Sequence, residues 1–318
     1  MDTDTGGRRD VVVGVDGSDL ALHAVGWAAT EARLRGLPLR IVHAASHPDD
    51  PAGAQPRPTA EILARAVTVA RRAEPDVTVS TTRTAQNPAT ALLDAAAGAA
   101  LLVVGMGGSD LPGEVLIGSV ALDVSGRAPC PVVVVRGGPV PQRGPVLVGI
   151  DTAGDDRAGD DRARDDAALT FAFADARRHG GRVAVLHARY LTEPLRGPGE
   201  EQTADVAVRD RLRDELGPWT ARFPDVAVQV SVVHGNAARA LLRAAEGSRL
   251  VVLGTHGQGP YARSLFGSTS YEVLRRSPVT VMVVNPATVV AAPDPDEQPA
   301  AGSHAAELDH PHDHSALF

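Results

Sequence analysis

VVVGVD at Val11–Asp16 returns as VLVGID at Val146–Asp151, and this pair decides the fold. Both are short runs of Val, Ile and Leu without polar alternation, the composition of a strand buried on both faces of a parallel sheet. Working outward, three more segments recur in the same order. LRIVHA at Leu39–Ala44 matches VAVLHA at Val183–Ala188, LLVVGMGG at Leu101–Gly108 matches LVVLGTHG at Leu250–Gly257, and PCPVVVV at Pro129–Val135 matches SPVTVMVV at Ser277–Val284. Matched segments in a fixed order are the signature of an internal duplication.

Between these runs lie helical patterns. Leu22, Val25, Ala29 and Ala32 recur at helical spacing, as do Leu63, Val67 and Ala70, and Ala91, Leu92 and Ala95. Strands alternating with helices imply βαβ units and an open, doubly wound α/β sheet, in which ligands bind beyond the carboxyl ends of the strands. The expected organisation is an arm at 1–8, a first domain at 9–137, a Pro/Gly-rich linker GPVPQRG at 138–144, a second domain at 145–286 and a disordered tail at 287–318. The charged run GDDRAGDDRARDD at Gly154–Asp166 is read as a solvated loop or frayed helix start.

Composition narrows the class. The chain has 318 residues, enough for two domains, and its basic residues are all arginine. Its net charge of -8 without a basic patch argues against nucleic acid and anionic lipid as partners. The single Cys130 excludes an internal disulfide and a cysteine zinc site. Met1–Asp10 contains no apolar leader segment and no stretch approaches the roughly 20 apolar residues of a membrane span, so the expected location is cytoplasmic.

One spacing occurs in both halves. Gly105 is followed by two residues, Gly108, nine residues and Gly118-Ser119; Gly254 is followed by two residues, Gly257, nine residues and Gly267-Ser268. Each loop leaves a buried strand and ends where a helix begins. Glycines allow positive φ and close backbone approach, successive N–H groups form an anion-binding concavity, and a helix N-terminus attracts phosphate. Ser119 and Ser268 add hydroxyl donors, and Val120 and Thr269 add backbone N–H groups. Asp16 and Asp151, at the carboxyl edge of the first strand of each half, suit either ribose hydroxyls or a helix N-cap.

Other residues carry less. His43 and His187 are read as hydrogen-bonded histidines at the core edge, and Cys130 as a small buried apolar residue. The tail histidines His304, His310, His312 and His314 are a weak metal-capturing cluster at most. No P-loop lysine, nucleophile elbow or HExxH occurs, so no catalytic residue is assigned.

VVVGVDGS, LRIVHA, the glycine loop ending in Gly-Ser and the terminal Val-rich strand resemble the universal stress protein family, over about residues 10–136 and 146–285. The loop spacing is similar to that of its ATP-binding branch. The resemblance implies two Rossmann-like domains, each an open five-stranded parallel sheet flanked by helices, with ATP and magnesium as cofactors. Gly14, Asp16, Gly105, Gly108, Gly118, Ser119 and Val120 would form one site, and Gly149, Asp151, Gly254, Gly257, Gly267, Ser268 and Thr269 the other. Adenine would lie near Ala44 and Ala188. In the family the last strand typically pairs across a dimer; here the two domains are expected to pair within one chain, with a homodimer still open.

The second half departs from the first. Thr152-Ala153 replaces Gly17-Ser18 after the aspartate, His256 stands where the first half has Gly107, and the second loop carries Arg263 where the first holds Asp110 and Glu114. Unequal sites are therefore expected, the first more magnesium-dependent. The functional expectation is an ATP-binding regulatory or stress-response protein that docks an unknown protein partner. The alternatives are a weak or autophosphorylating ATPase, a cyclic AMP binder and a nucleotide-free scaffold.

Overall fold

The computed structural model describes residues 9–44, 58–107, 117–137, 144–150, 159–189, 198–255 and 266–285, with side chains from 165 and 202 onward in the two helices that begin at Gly159 and Pro198. The first half runs β1 (Val11–Gly14), α1 (Asp19–Leu34), β2 (Leu39–Ala44), α2 (Thr59–Ala73), β3 (Val79–Thr84), α3 (Pro88–Ala96), β4 (Leu101–Gly105), α4 (Ser119–Arg127) and β5 (Val132–Val135). The second half runs β6 (Val146–Gly149), α5 (Gly159–Arg178), β7 (Arg182–Arg189), α6 (Pro198–Glu215), α7 (Gly217–Arg222), β8 (Ala227–His234), α8 (Ala237–Ala245), β9 (Leu250–Gly254), α9 (Ser268–Arg276) and β10 (Val281–Val284).

The strands form one ten-stranded sheet in the order β3-β2-β1-β4-β5-β10-β9-β6-β7-β8. Each half is a parallel five-stranded, Rossmann-like sheet with its first strand at the centre. β1 sits centrally because Val11, Val12 and Val13 are all wholly buried, and each contributes on the order of 1.5–3 kcal/mol by leaving water. Alternate side chains feed opposite layers. Val11 and Val13 face α1 and α2, while Val12 faces α3 and α4, and each layer continues across both halves.

The halves meet where β5 and β10 pair antiparallel, with Val133 opposite Met282. The pairing expected between the two domains is thus made within this chain. Because the two central strands run oppositely, the carboxyl ends of the two parallel halves open at opposite edges of the sheet.

Of the two readings of the charged run, solvated loop and frayed helix start, its described part is a helix start. It is helical from Gly159, and Asp165 is 7 % exposed. The reason is the apolar stripe that follows: Ala168, Leu169, Ala172, Phe173 and Ala176 are buried at helical spacing and extend the helix back through the charges. The arm, the linker as far as residue 143 and the tail beyond 285 lie outside the described residues. No described helix is long and apolar enough to cross a membrane.

Candidate functional site

In the first half, residues at the carboxyl edges of β1, β2 and β4 surround a cavity of about 250 Å³. Its lining brings together Gly14, Asp16, Ala44, Gly105, Gly118, Ser119 and Val120. Gly108, the remaining expected member, lies outside the described residues, as do Asp110 and Glu114. Other lining residues were not expected as site members, among them these five: Val15, Val42, Leu92, Met106 and Gly107. Four are ordinary apolar residues with no pattern to mark them.

The glycines act by close packing. The expectation of positive φ is not met at the described loop positions: φ is −63° at Gly118 and −59° at Gly267, and the described glycines with positive φ are Gly17, Gly36, Gly98, Gly144, Gly180 and Gly235. A Cβ at Gly105 would lie 2.9 Å from the carbonyl oxygen of Leu20, so Gly105 lets the first turn of α1 rest on β4. A Cβ at Gly107 would lie 2.7 Å from the Cα of Gly118, so the two ends of the loop are closed backbone against backbone. Gly14 similarly admits Leu92 of α3, and Gly149 admits Leu241 of α8 in the second half.

Helix starts differ: α2 and α7 begin at Pro58 and Leu216 without a side-chain cap bond, and among the rest three capped starts contrast with two that begin at glycine. Ser18 caps α1 through a bond from the Ala21 N–H (3.1 Å), Asn87 caps α3 from Ala89 (3.0 Å), and Asn236 caps α8 from Arg239 (2.9 Å). At α4 and α9 the cap positions are Gly118 and Gly267, with no side-chain cap bond. Among the described residues, the first N–H groups of α4 therefore face the cavity without an acceptor, at the positive end of the helix dipole.

Asp16 is exposed at the cavity rim, and its Oδ1 accepts a bond from the Ser18 N–H at 2.9 Å. It is not the N-cap; Ser18 is. The carboxylate is held by this tight turn at the end of β1, beside the cavity. His43 lines the cavity and is buried, with Nδ1 2.8 Å from the Val15 carbonyl oxygen. A carbonyl only accepts, so Nδ1 carries the proton. His187 repeats the contact with the Ile150 oxygen at 3.1 Å. Both are hydrogen-bonded histidines at the core edge, as expected. Cys130 is buried, which pushes its thiol up to about 12, so it is an inert core residue.

In the second half, Gly149, Ala188, Gly254, Gly267, Ser268 and Thr269 lie at the corresponding carboxyl edge, at the ends of β6, β7 and β9 and the start of α9. Ser270 in the first turn of α9 donates to the Gly254 carbonyl at 3.0 Å, tying the helix start to the end of β9. Asp151, His256, Gly257 and Arg263 lie outside the described residues. Beside Ala188, Arg189 and His234 both bond Asp205, at 2.9 and 3.0 Å. Desolvation works against the Asp205 carboxylate, but these two partners outweigh it and lower its pKa.

Comparison with known proteins agrees with this architecture. The model of the universal stress protein family matches residues 7–136 and again 143–285. A universal stress protein of Mycobacterium tuberculosis is 33 % identical over 300 residues, covering 87 % of this chain and 97 % of the relative. Two crystal structures share the fold at 19 % identity. A functionally unknown protein from Pseudomonas aeruginosa has a TM-score of 0.63, covering 88 % of this chain and 93 % of its own. A universal stress protein from Archaeoglobus fulgidus has a TM-score of 0.59, covering 87 % and 96 %. With both halves matched in tandem and the sheet order of each half the same, the chain belongs to the universal stress protein family.

Proposed function

We propose that the chain binds ATP, with magnesium as its counter-ion, in the first cavity and in the matching loop of the second half, and that occupancy regulates docking to a protein partner. One observation supports this most. The cavity is bounded by a loop whose ends are closed glycine against glycine and by a helix start that lacks a side-chain cap, and its lining contains no lysine or arginine among the described residues. Backbone N–H groups and the dipole of α4 are then the available phosphate ligands. Asp16 at the rim takes the ribose hydroxyls, and the apolar wall at Val15, Val42 and Ala44 takes the base. The second site uses Gly254, Gly257, Gly267, Ser268 and Thr269, with Asp151 as its ribose ligand.

Mass spectrometry of nucleotide released from freshly denatured protein tests the reading. About two ATP or ADP per chain is the expected result, and competition with cyclic AMP in calorimetry distinguishes the two ligands. A chain that neither retains nor takes up nucleotide leaves a scaffold role in its place. Because Asp110 and Glu114 belong to the first loop and Arg263 to the second, titration without magnesium is expected to weaken the first site more.

A further inference from the structure

On the face that carries α4 and α9, each half holds the end of the other half's phosphate-facing helix. Arg136, immediately after β5 of the first half, donates to the Leu274 carbonyl and, at 3.4 Å, to the Arg275 carbonyl at the C-terminus of α9. Asn285, immediately after β10 of the second half, donates to the Ala128 carbonyl at the C-terminus of α4 at 2.5 Å. The antiparallel junction of β5 and β10 makes this crossing possible. It carries each helix from its own half's cavity edge to the edge used by the other half.

Arg136 also touches the first site. Its Nη1 donates to the sulfur of Met106, and Met106 lines the first cavity. Arg136 is 7 % exposed, no carboxylate is paired with it among the described residues, and its Nε is buried without a partner there. A buried cation so placed favours negative charge on both sides. It lies behind the wall of the first cavity, and it offsets the negative end of the α9 dipole, whose positive end lies at the second-half strand edge.

We propose that these crossed caps couple the two nucleotide sites, so that filling either one raises the affinity of the other. This rests on the nucleotide reading above. Phosphate ordering the open first turn of α9 also fixes the carbonyls that hold Arg136, and Arg136 in turn fixes Met106 in the other cavity. The cost of ordering is then shared between two binding events, which makes the second tighter. Asn285 provides the mirror route, from the end of β10 to α4.

Calorimetric titration of the full chain with magnesium-ATP tests the coupling. The affinity of the second site is measured with the first site filled and with the first site closed by Gly118→Val. The ratio is expected to be about five- to tenfold in the wild type. Arg136→Met lowers it to what the Asn285 route alone supplies, and Arg136→Lys, which keeps the charge but not the fork, retains more of it. Asn285→Ala lowers the ratio without changing any charge, so the coupling remains testable if Arg136→Met does not fold. A wild-type ratio of one with both sites filled overturns the coupling and leaves nucleotide binding intact. A normal ratio in all three variants overturns it as well. A wild type that takes up no nucleotide defeats the underlying reading instead.

Discussion

A methyl group added at Gly105 would meet a backbone oxygen, not a side chain that can swing away. Gly105→Ala is therefore expected to cost about 1–3 kcal/mol, seen as a lower urea midpoint at unchanged slope. Gly107→Ala meets the Gly118 backbone between the two ends of the loop, away from the α1–β4 packing. Released-nucleotide measurements should show it losing ligand at the first site while the midpoint moves less. At this scale the repeated spacing identified Gly105 and Gly118 but suggested left-handed backbone, whereas the requirement is contact between segments distant in sequence. Gly107 escaped notice because His256 replaces it in the second half, so comparing the repeats passes over it. Asp16 shows the reverse. Its two readings were equal in sequence; Ser18 takes the cap, and the ribose role belongs to the proposal above.

Among the elements, α4 and α9 are set apart by an open start with glycine at the cap; α2 and α7 also lack a cap bond but begin at Pro58 and Leu216. Asn87→Ala should cost α3 about 1 kcal/mol in thermal or chemical unfolding. Gly267→Asp should act oppositely. The new carboxylate satisfies the free N–H groups of α9, so stability is held or raised, while phosphate is repelled and the released nucleotide falls to about one per chain. The buried strands were legible in sequence as continuous apolar runs, and the helices as periodic ones. β3 and β8 were not, because they are the two edges of the sheet. VSTTRT at Val79–Thr84 is mostly exposed, and AVQVSVVH at Ala227–His234 is partly so. Neither needs the apolar composition that marks a central strand. Thr82→Val on β3 is accordingly expected to change stability by no more than about 0.5 kcal/mol.

At the scale of the molecule, the seam has a charged side opposite the crossed caps. Glu31 of α1 is paired with Arg35, His179 bonds Glu31 at 2.8 Å, and Arg249 pairs with Asp175 of α5. All but His179 and Arg35 are nearly inaccessible residues, so breaking one partner leaves a buried charge. Burial, then the cations Arg35, Arg178 and Arg33, push His179 from 6.5 down to about 4. The unfolded chain takes up this proton before the folded chain does. Stability is therefore full above pH 6.5 and declines as pH falls toward 4, by up to about 3 kcal/mol, and His179→Gln should flatten that slope in melting curves recorded against pH. Joining β5 to β10 inside one polypeptide also settles how the pairing responds to dilution. Two separate halves would find each other only at sufficient abundance, whereas tethered ones meet at an effective concentration of roughly millimolar. The seam therefore stays closed however few copies are present, and a single cut at the tether would turn a fixed property of the molecule into one that depends on its abundance.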